Sequence, residues 1–241
     1  MSRHVLPLLF TLLLAACATG PVAQEPVPPW SVVGVGNARC QDYSASLGQP
    51  AGQRLREWVL GYAAGLDAPA PYMGLGANPG AHPVAADELG AQGWLAQHCA
   101  ANPERPLHLA VRQWLSEPRP AVAKPVTGLG GQPCSDYNAH GDGTPERALY
   151  EQWMLGFITG LNARAPYTSA VLSGADLNAD DLWRPYDPKP LQRLTDYCRE
   201  QPQATFQAAV ERLAAREYWE LQIRERRENR RRPFWIFPGS D

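Results

Sequence analysis

The sequence predicts an all-α protein of two tandem homologous domains, each of a four-helix type, and two observations lead to this prediction. A ten-residue stretch at residues 58–67 returns at residues 153–162, and each copy lies between two cysteines. No segment shows the strict alternation of apolar and polar residues that is typical of a half-buried strand. The chain therefore contains an internal repeat of helical units.

The similarity of the two units extends beyond the repeated stretch. A Cys-x-Asp-Tyr motif begins at Cys40 and again at Cys134, and a Cys-x-x-x-Pro motif begins at Cys99 and again at Cys198. Agreement at this many fixed offsets is the signature of a duplicated structural unit.

The beginning of the chain predicts export. Residues 1–16 have a short basic start and an apolar stretch too short to span a bilayer, which is typical of a signal peptide. They lead into a Leu-Ala-Ala-Cys sequence that resembles the bacterial lipobox, so Cys17 is the predicted lipid anchor. Ordinary secretion with cleavage after Ala18 is the alternative. Because residue 18 is not aspartate, the resemblance to lipoproteins implies the periplasmic face of the outer membrane as the destination.

Two further segments are rich in proline and glycine and predict extended connections. Residues 17–39 form a predicted tether, whose apolar patch at residues 30–33 is a candidate for docking on the first domain. Residues 118–133 form a predicted linker between the domains. Residues 230–241 form a basic and aromatic tail.

The first domain is predicted at residues 40–117, with helices at residues 41–47, 53–66, 86–101 and 105–116. The second domain is predicted at residues 134–229. Thr144 followed by Pro145 predicts a helix start there, since threonine caps a helix and proline suits its first position. The last helix is predicted from residue 203 to about residue 229.

The central repeated stretch predicts a buried helix that contains glycines. Each internal glycine costs about 1 kcal/mol of helix stability relative to alanine, so close packing or ligand binding must offset that cost. One hypothesis is that the glycines form the floor of a ligand groove. We favour the other hypothesis, a tight helix crossing in the core. The residues of this motif are Trp58, Gly61, Gly65, Trp153, Gly156 and Gly160.

The five cysteines agree with an exported protein. If Cys17 carries lipid, four remain, and the repeat favours one disulfide in each domain, Cys40 with Cys99 and Cys134 with Cys198. Pairing across the domains is the alternative, although it would break the equivalence of the repeats.

Charge and motifs argue against several classes of function. The formal net charge is −2, which does not favour general nucleic-acid binding. The mature chain has four histidines, and none lies three or four positions from another (His82, His98, His108 and His140). We therefore expect no metal, no cofactor and no enzymatic activity. Asp42 and Asp136, each two residues after a cysteine, are interpreted as helix caps.

The motifs carry a resemblance. Cys-x-x-Tyr, then Trp-x-x-Gly-aromatic-x-x-Gly, then a helix ending in cysteine before Asn-Pro or Gln-Pro, resembles small exported helical proteins of the HdeA-like group. It also resembles the Tai-type immunity proteins that protect bacteria from type VI secretion amidases. The first resemblance implies acid-activated chaperoning, and the second implies inhibition of an effector by plugging its active site.

The expected function is that of a periplasmic lipoprotein that binds another protein without catalysis. The partner is an effector if the protein is immunity-like, or a set of clients if it is an HdeA-like stress chaperone. Contact with the membrane is expected through the lipid anchor only, and the sequence sets no oligomeric state. Between residues 211 and 232 lie eight arginines and five glutamates, followed by an apolar cluster. In that cluster Phe234, Trp235 and Phe237 are candidate partner contacts.

Overall fold

A computed structural model describes residues 32–71, 88–117, 128–164 and 189–231. Over these ranges the chain is all-α, as predicted, with eight α-helices, two short 3-10 helices and no strand. The first repeat contains η1 (Gly34–Asn37), α1 (Cys40–Ser46), α2 (Pro50–Asp67), α3 (Glu88–Ala101) and α4 (Leu107–Ser116). The second repeat contains η2 (Gly128–Gly131), α5 (Cys134–Ala139), α6 (Pro145–Arg164), α7 (Lys189–Glu200) and α8 (Phe206–Arg231).

Local sequence accounts for where the helices begin. The Asp42 carboxylate accepts a hydrogen bond of 2.9 Å from the Arg39 backbone N–H, just before α1. The Thr144 hydroxyl accepts a bond of 3.3 Å from the Arg147 N–H, in the first turn of α6. Each bond satisfies a backbone donor that the helix leaves without a partner. The helix limits predicted from the sequence agree with the structure to within three residues.

One disulfide ties each repeat, and the pairing within repeats is confirmed. Cys40 on α1 bonds Cys99 on α3, with a Cα–Cα distance of 4.6 Å. Cys134 on α5 bonds Cys198 on α7, with a Cα–Cα distance of 4.8 Å. In the chain-entropy model a closed loop of about 60 residues contributes roughly 4 kcal/mol of stability. Pairing across the domains is excluded.

Helices α2 and α6 cross each other in direct backbone contact, and this crossing joins the two repeats. A Cβ atom at Gly61 would overlap the backbone carbonyl oxygen of Trp153. Reciprocally, a Cβ atom at Gly156 would overlap the carbonyl oxygen of Trp58. Only a residue without a side chain allows two helix axes to approach this closely.

One turn further along, the same contact is repeated. A Cβ atom at Gly65 would overlap the Phe157 carbonyl oxygen, and one at Gly160 would overlap that of Tyr62. The contacting positions increase together along both helices, so α2 and α6 run parallel. Because each contact has its reciprocal at equivalent positions, a local pseudo-two-fold axis relates the two repeats.

The chain entering the first repeat is fixed to both central helices. The Val33 N–H donates a hydrogen bond of 3.1 Å to the Thr159 hydroxyl on α6. The Trp58 indole N–H on α2 donates a bond of 2.8 Å to the Val33 carbonyl. Val32 and Val33 are both buried. Val32 and Val33, the described part of the apolar patch of the predicted tether, thus pack between the two repeats and not on the first alone.

Each 3-10 helix also packs on the central helix of the other repeat. The Leu129 N–H of η2 donates a bond of 3.0 Å to the Glu57 carboxylate on α2. The Val35 N–H of η1 donates one of 3.2 Å to the Gln152 side-chain oxygen on α6. Glu57 and Gln152 are equivalent positions of the repeat and perform the same task.

These contacts place parts of the predicted tether and linker within the packed fold. Residues 32–39 pack against the central helices, although the sequence assigned them to the tether. Residues 128–133 pack similarly, although the sequence assigned them to the linker. Side chains from both repeats form one continuous buried cluster. The two homologous domains therefore share a single core around the α2–α6 crossing.

Candidate functional site

The histidines of the sequence analysis do not form a site in the described part of the chain. His98 stacks on Trp94, with ring centroids 4.5 Å apart, and burial lowers the pKa of its imidazole. His108 is buried, and its Nδ1 lies 3.1 Å from the Gly36 carbonyl oxygen. The described residues contain no group of three or more metal-ligating side chains.

A buried arginine serves the fold of the second repeat. Arg147 on α6 donates to the Tyr137 and His140 carbonyl oxygens at 3.1 and 3.3 Å, and to the Thr195 hydroxyl at 2.6 Å. Its guanidinium also lies 3.5 Å from the centroid of the Tyr137 ring. These partners belong to α5, α7 and the turn between α5 and α6, so Arg147 holds these elements against α6.

The central glycines do not form the floor of a groove. Gly61, Gly65, Gly156 and Gly160 each face backbone of the opposite helix. Trp58 and Trp153 are completely buried beside them. The structure therefore favours the close helix crossing over the ligand groove and leaves no room for a ligand at this motif.

The largest difference between the repeats is the length of their last helix. Helix α4 ends at Ser116, whose equivalent in the second repeat is Ala215, whereas α8 continues to Arg231. We call residues 216–231 the α8 extension. The described part of the first repeat has no counterpart of it, and Pro118, shortly after α4, disfavours continuation of that helix.

An ion-pair network holds the base of the α8 extension against α7. The Arg193 guanidinium lies 2.6 Å from the Glu217 carboxylate and 3.2 Å from that of Glu220. Arg216 pairs with Glu220 at 3.0 Å. Burial raises the pKa of the Glu217 carboxyl, and the hydrogen bond from Arg193 acts in the opposite direction. At the equivalent of Arg193 the first repeat has Trp94, so only the second repeat can form this network.

Beside and just after that network, the extension exposes two large apolar side chains. Trp219 is 50% exposed and Ile223 is 45% exposed. They are four positions apart on one helix and therefore lie on the same face, one turn from each other. Among the described residues the only other large apolar side chain with such exposure is Leu47, at 46%, in the first repeat.

The outer half of the extension is basic. Residues 224–231 contain five arginines and two glutamates. Arg226 and Arg227 are exposed. An apolar pair of side chains next to a basic stretch, on a helix fixed at its base, is an arrangement that can bind another macromolecule.

Several residues singled out in the sequence analysis lie outside the described ranges. They are the predicted lipid anchor, the candidate tail contacts and one histidine: Cys17, Phe234, Trp235, Phe237 and His82. None of the helices in the described ranges has the length and apolar composition needed to span a bilayer.

Comparisons of the chain with protein-family models, with known proteins and with solved structures found no match. The fold and the site define a class, a helical protein of two disulfide-tied repeats around one crossing. Its candidate functional site is the α8 extension.

The basic stretch of α8 was evident from the sequence, whereas the exposure of Trp219 and Ile223 was not predicted. Their signal was present in the lengths of the two last helices, because that of the second repeat continues for 16 residues past the equivalent of Ser116. Large apolar residues in such an unmatched segment have no equivalent core position in the first repeat, although Tyr218 at its base packs against the core.

Proposed function

We propose that this protein is a lipoprotein of the periplasmic face of the outer membrane, anchored through Cys17, that binds another protein through the α8 extension. The observation that carries this proposal is the exposure of Trp219 and Ile223 on the α8 extension, which continues past the end of the equivalent helix α4. Large apolar side chains at the centre of an interface typically contribute most of its binding energy.

The scaffold supports binding to a specific partner. Two disulfides and a helix crossing in backbone contact fix the scaffold, and an ion-pair network holds the base of the α8 extension against α7. A surface that is already in its binding conformation loses little conformational entropy on association. The immunity-like role implied by the resemblance, inhibition of a cell-wall-targeting effector, requires a surface of this kind.

The alternative, an HdeA-like chaperone, requires acid to open the fold and expose apolar surface. Burial raises the pKa of the carboxyls of Glu57, Glu151 and Glu217. A raised pKa means that the folded protein binds protons more readily than the unfolded chain, so acidification stabilises the fold through these three groups. Burial raises the pKa of the Glu220 carboxyl, but the hydrogen bonds from Arg216 and Arg193 outweigh it and lower the pKa. Acidification therefore destabilises the fold through Glu220. Three of the four described carboxyls with a shifted pKa therefore stabilise the fold in acid, the opposite of what an acid-opened chaperone requires.

The proposal can be tested by photo-crosslinking in cells that express the full chain. A benzophenone amino acid replaces Ile223 in one variant and Leu47 in another, since both positions expose a large apolar side chain on opposite repeats. We expect one discrete protein adduct at position 223 and none at position 47. We also expect Trp219→Ala to reduce the adduct strongly, because it removes the neighbouring anchor.

Three outcomes would contradict this assignment. Equal adducts at positions 223 and 47 would show that the α8 extension is not a specific site. A broad spread of adduct masses at position 223 would favour the chaperone. No adduct at position 223 would exclude the extension as the binding site.

A further inference from the structure

The basic half of the α8 extension specifies the chemistry of the partner, an inference that rests on the function proposed above. We propose that the partner is a protein with an apolar pocket bordered by carboxylates. The pocket takes Trp219 and Ile223, and the carboxylates face Arg226 and Arg227.

The positions of these residues on the helix support one continuous contact. Arg226 and Arg227 follow Ile223 by three and four positions, so they lie over the next turn of the same face. Both side chains are exposed. The face is therefore apolar for one turn and basic for the next, and a partner that covers it must present an apolar part and an acidic part side by side.

The charge of the extension requires an acidic partner. Near its base, the carboxylates of Glu217 and Glu220 already pair with Arg193 and Arg216. Farther out, residues 224–231 carry five arginines against two glutamates, a net charge of +3. A partner surface of opposite charge accelerates association and selects the correct partner, whereas a basic surface is repelled. Arginine suits this task, since its planar guanidinium binds a carboxylate through two parallel hydrogen bonds.

The same charges argue against a second copy of this chain as the partner. In a symmetric dimer formed through this face, the basic segments of the two copies would lie close to each other or to the already paired base. The outer half carries a net charge of +3, and residues 216–223 together with Arg193 are neutral, so neither arrangement places net negative charge against the outer half. A dimer of this kind would therefore be weakened by repulsion.

The distribution of side chains also argues against the bilayer as the partner. A helix that lies on a bilayer has an apolar stripe along its whole length and basic residues along the opposite face. Here the apolar side chains and the arginines occupy successive turns of one face. This arrangement fits a protein surface with two adjoining regions.

The first test uses a carbodiimide, which joins an amine to a carboxylate only when the two groups are in contact. Arginine does not react, and the whole chain contains only two lysines, Lys124 and Lys189, so the background is low. Cells that express Arg227→Lys are treated with the reagent. Arg54→Lys, at an exposed position on α2, is the matched control.

We expect Arg227→Lys, and not Arg54→Lys, to become linked to an aspartate or glutamate of the protein that is captured from position 223. Linkage only to a second copy of this chain would overturn the proposal, and so would photo-adducts at position 223 that contain only lipid. Capture at position 223 without linkage at position 227 would also overturn it, because the partner would then lack carboxylates at that place.

The second test measures affinity between the purified full chain and the captured protein. The double substitution Arg226→Glu with Arg227→Glu should weaken binding by about tenfold or more at low salt, and high salt should reduce that difference. If Trp219→Ala weakens binding and the charge reversal does not, the inference about acidic chemistry fails while the proposed function stands. If neither substitution weakens binding, the proposed function fails with it.

Discussion

At the scale of single residues, the two repeats perform one task with different chemistry at positions 57 and 152. Both side chains accept a hydrogen bond from a 3-10 helix of the other repeat, Glu57 from the Leu129 N–H and Gln152 from the Val35 N–H. Glutamine accepts this bond without a charge. Glu57 accepts it as a carboxylate that is only 7% exposed. The first repeat has therefore placed an ionisable group in a position that does not need one.

The environment of Glu57 determines how it titrates. Burial raises the pKa of its carboxyl, while the hydrogen bond from Leu129 and the charge of Arg56 lower it by less. The folded protein thus holds a proton on Glu57 at a higher pH than the unfolded chain does. Its contribution to stability is fully present below the ordinary carboxyl pKa and is lost as pH rises through the raised pKa.

The raised pKa of Glu57 predicts how the substitution Glu57→Gln changes stability at different pH values. The variant should melt at a higher temperature than the wild type at pH 7, because it keeps the acceptor oxygen and removes a buried charge. The difference in melting temperature between the two proteins should narrow as the pH falls towards about 4, where the wild-type Glu57 carboxyl is protonated. Melting curves of both proteins between pH 4 and pH 7 provide the measurement.

The reverse substitution is the matched control. Gln152→Glu should introduce at the second repeat the pH dependence that Glu57→Gln removes from the first. If the difference in melting temperature between wild type and Glu57→Gln stays constant over this pH range, Glu57 does not titrate as its burial implies.

At the scale of secondary-structure elements, the α2–α6 crossing is the contact on which the fold depends. Gly61 and Gly156 each face a backbone carbonyl of the opposite helix. Neither backbone can move aside without shifting a helix that is packed on both sides. The glycines are therefore required by the distance between the helices, although they lower the intrinsic stability of each helix.

We predict that Gly61→Ala and Gly156→Ala each destabilise the protein. Overpacking of this kind typically costs about 1–3 kcal/mol, which exceeds the gain of up to about 1 kcal/mol from better helix propensity. For a protein of this size the melting temperature should fall by roughly 2–10 °C. Because each glycine faces the other repeat, both variants should weaken the two repeats together.

Gly93 offers a control within the same protein. It lies inside α3, and a Cβ atom there would meet nothing within 4 Å. Gly93→Ala should therefore gain helix propensity without overpacking and stabilise the protein by up to about 1 kcal/mol. A higher melting temperature for Gly61→Ala and Gly156→Ala as well would show that the crossing tolerates a methyl group.

At the scale of the whole molecule, two repeats that are each tied by their own disulfide share one core. The cluster of buried side chains runs through both repeats, and each 3-10 helix packs on the central helix of the other. Loss of either repeat would expose the glycine face of the remaining central helix. The repeats are therefore homologous in sequence and interdependent in structure.

The predicted anchor is tested at the same scale. Cys17→Ser should release the protein from the membrane fraction into the soluble periplasmic extract, if Cys17 carries the lipid. The four other cysteines are paired in two disulfides, so the substitution should leave both bridges intact, which a digest without reduction can verify. Retention of the variant in the membrane fraction to the wild-type extent would show that another part of the chain holds it there.

The sequence by itself determined the properties that depend on local order along the chain. Helix class follows from periodicity, and the starts of α1 and α6 follow from capping by Asp42 and Thr144. The disulfide pairs follow from the equivalence of the repeats. The cost of a glycine inside a helix also indicated that the central helices must meet another backbone closely.

Only the tertiary structure decided which backbone the central helices α2 and α6 meet. The sequence of a helix face does not specify which other segment packs on it. The contacts across the α2–α6 crossing join residues about 95 positions apart in the chain. For the same reason the sequence predicted docking of the tether on the first domain but not its contact with the second repeat, and it did not predict the packing of residues 128–133. Gly36 and Gly130 lie at equivalent positions before Cys40 and Cys134. The reason for a glycine there appears only in the folded chain, where the Trp58 and Trp153 rings occupy the space that a side chain would need. Pairing between distant segments is a property of the folded chain, because burial selects it only after the helices have formed.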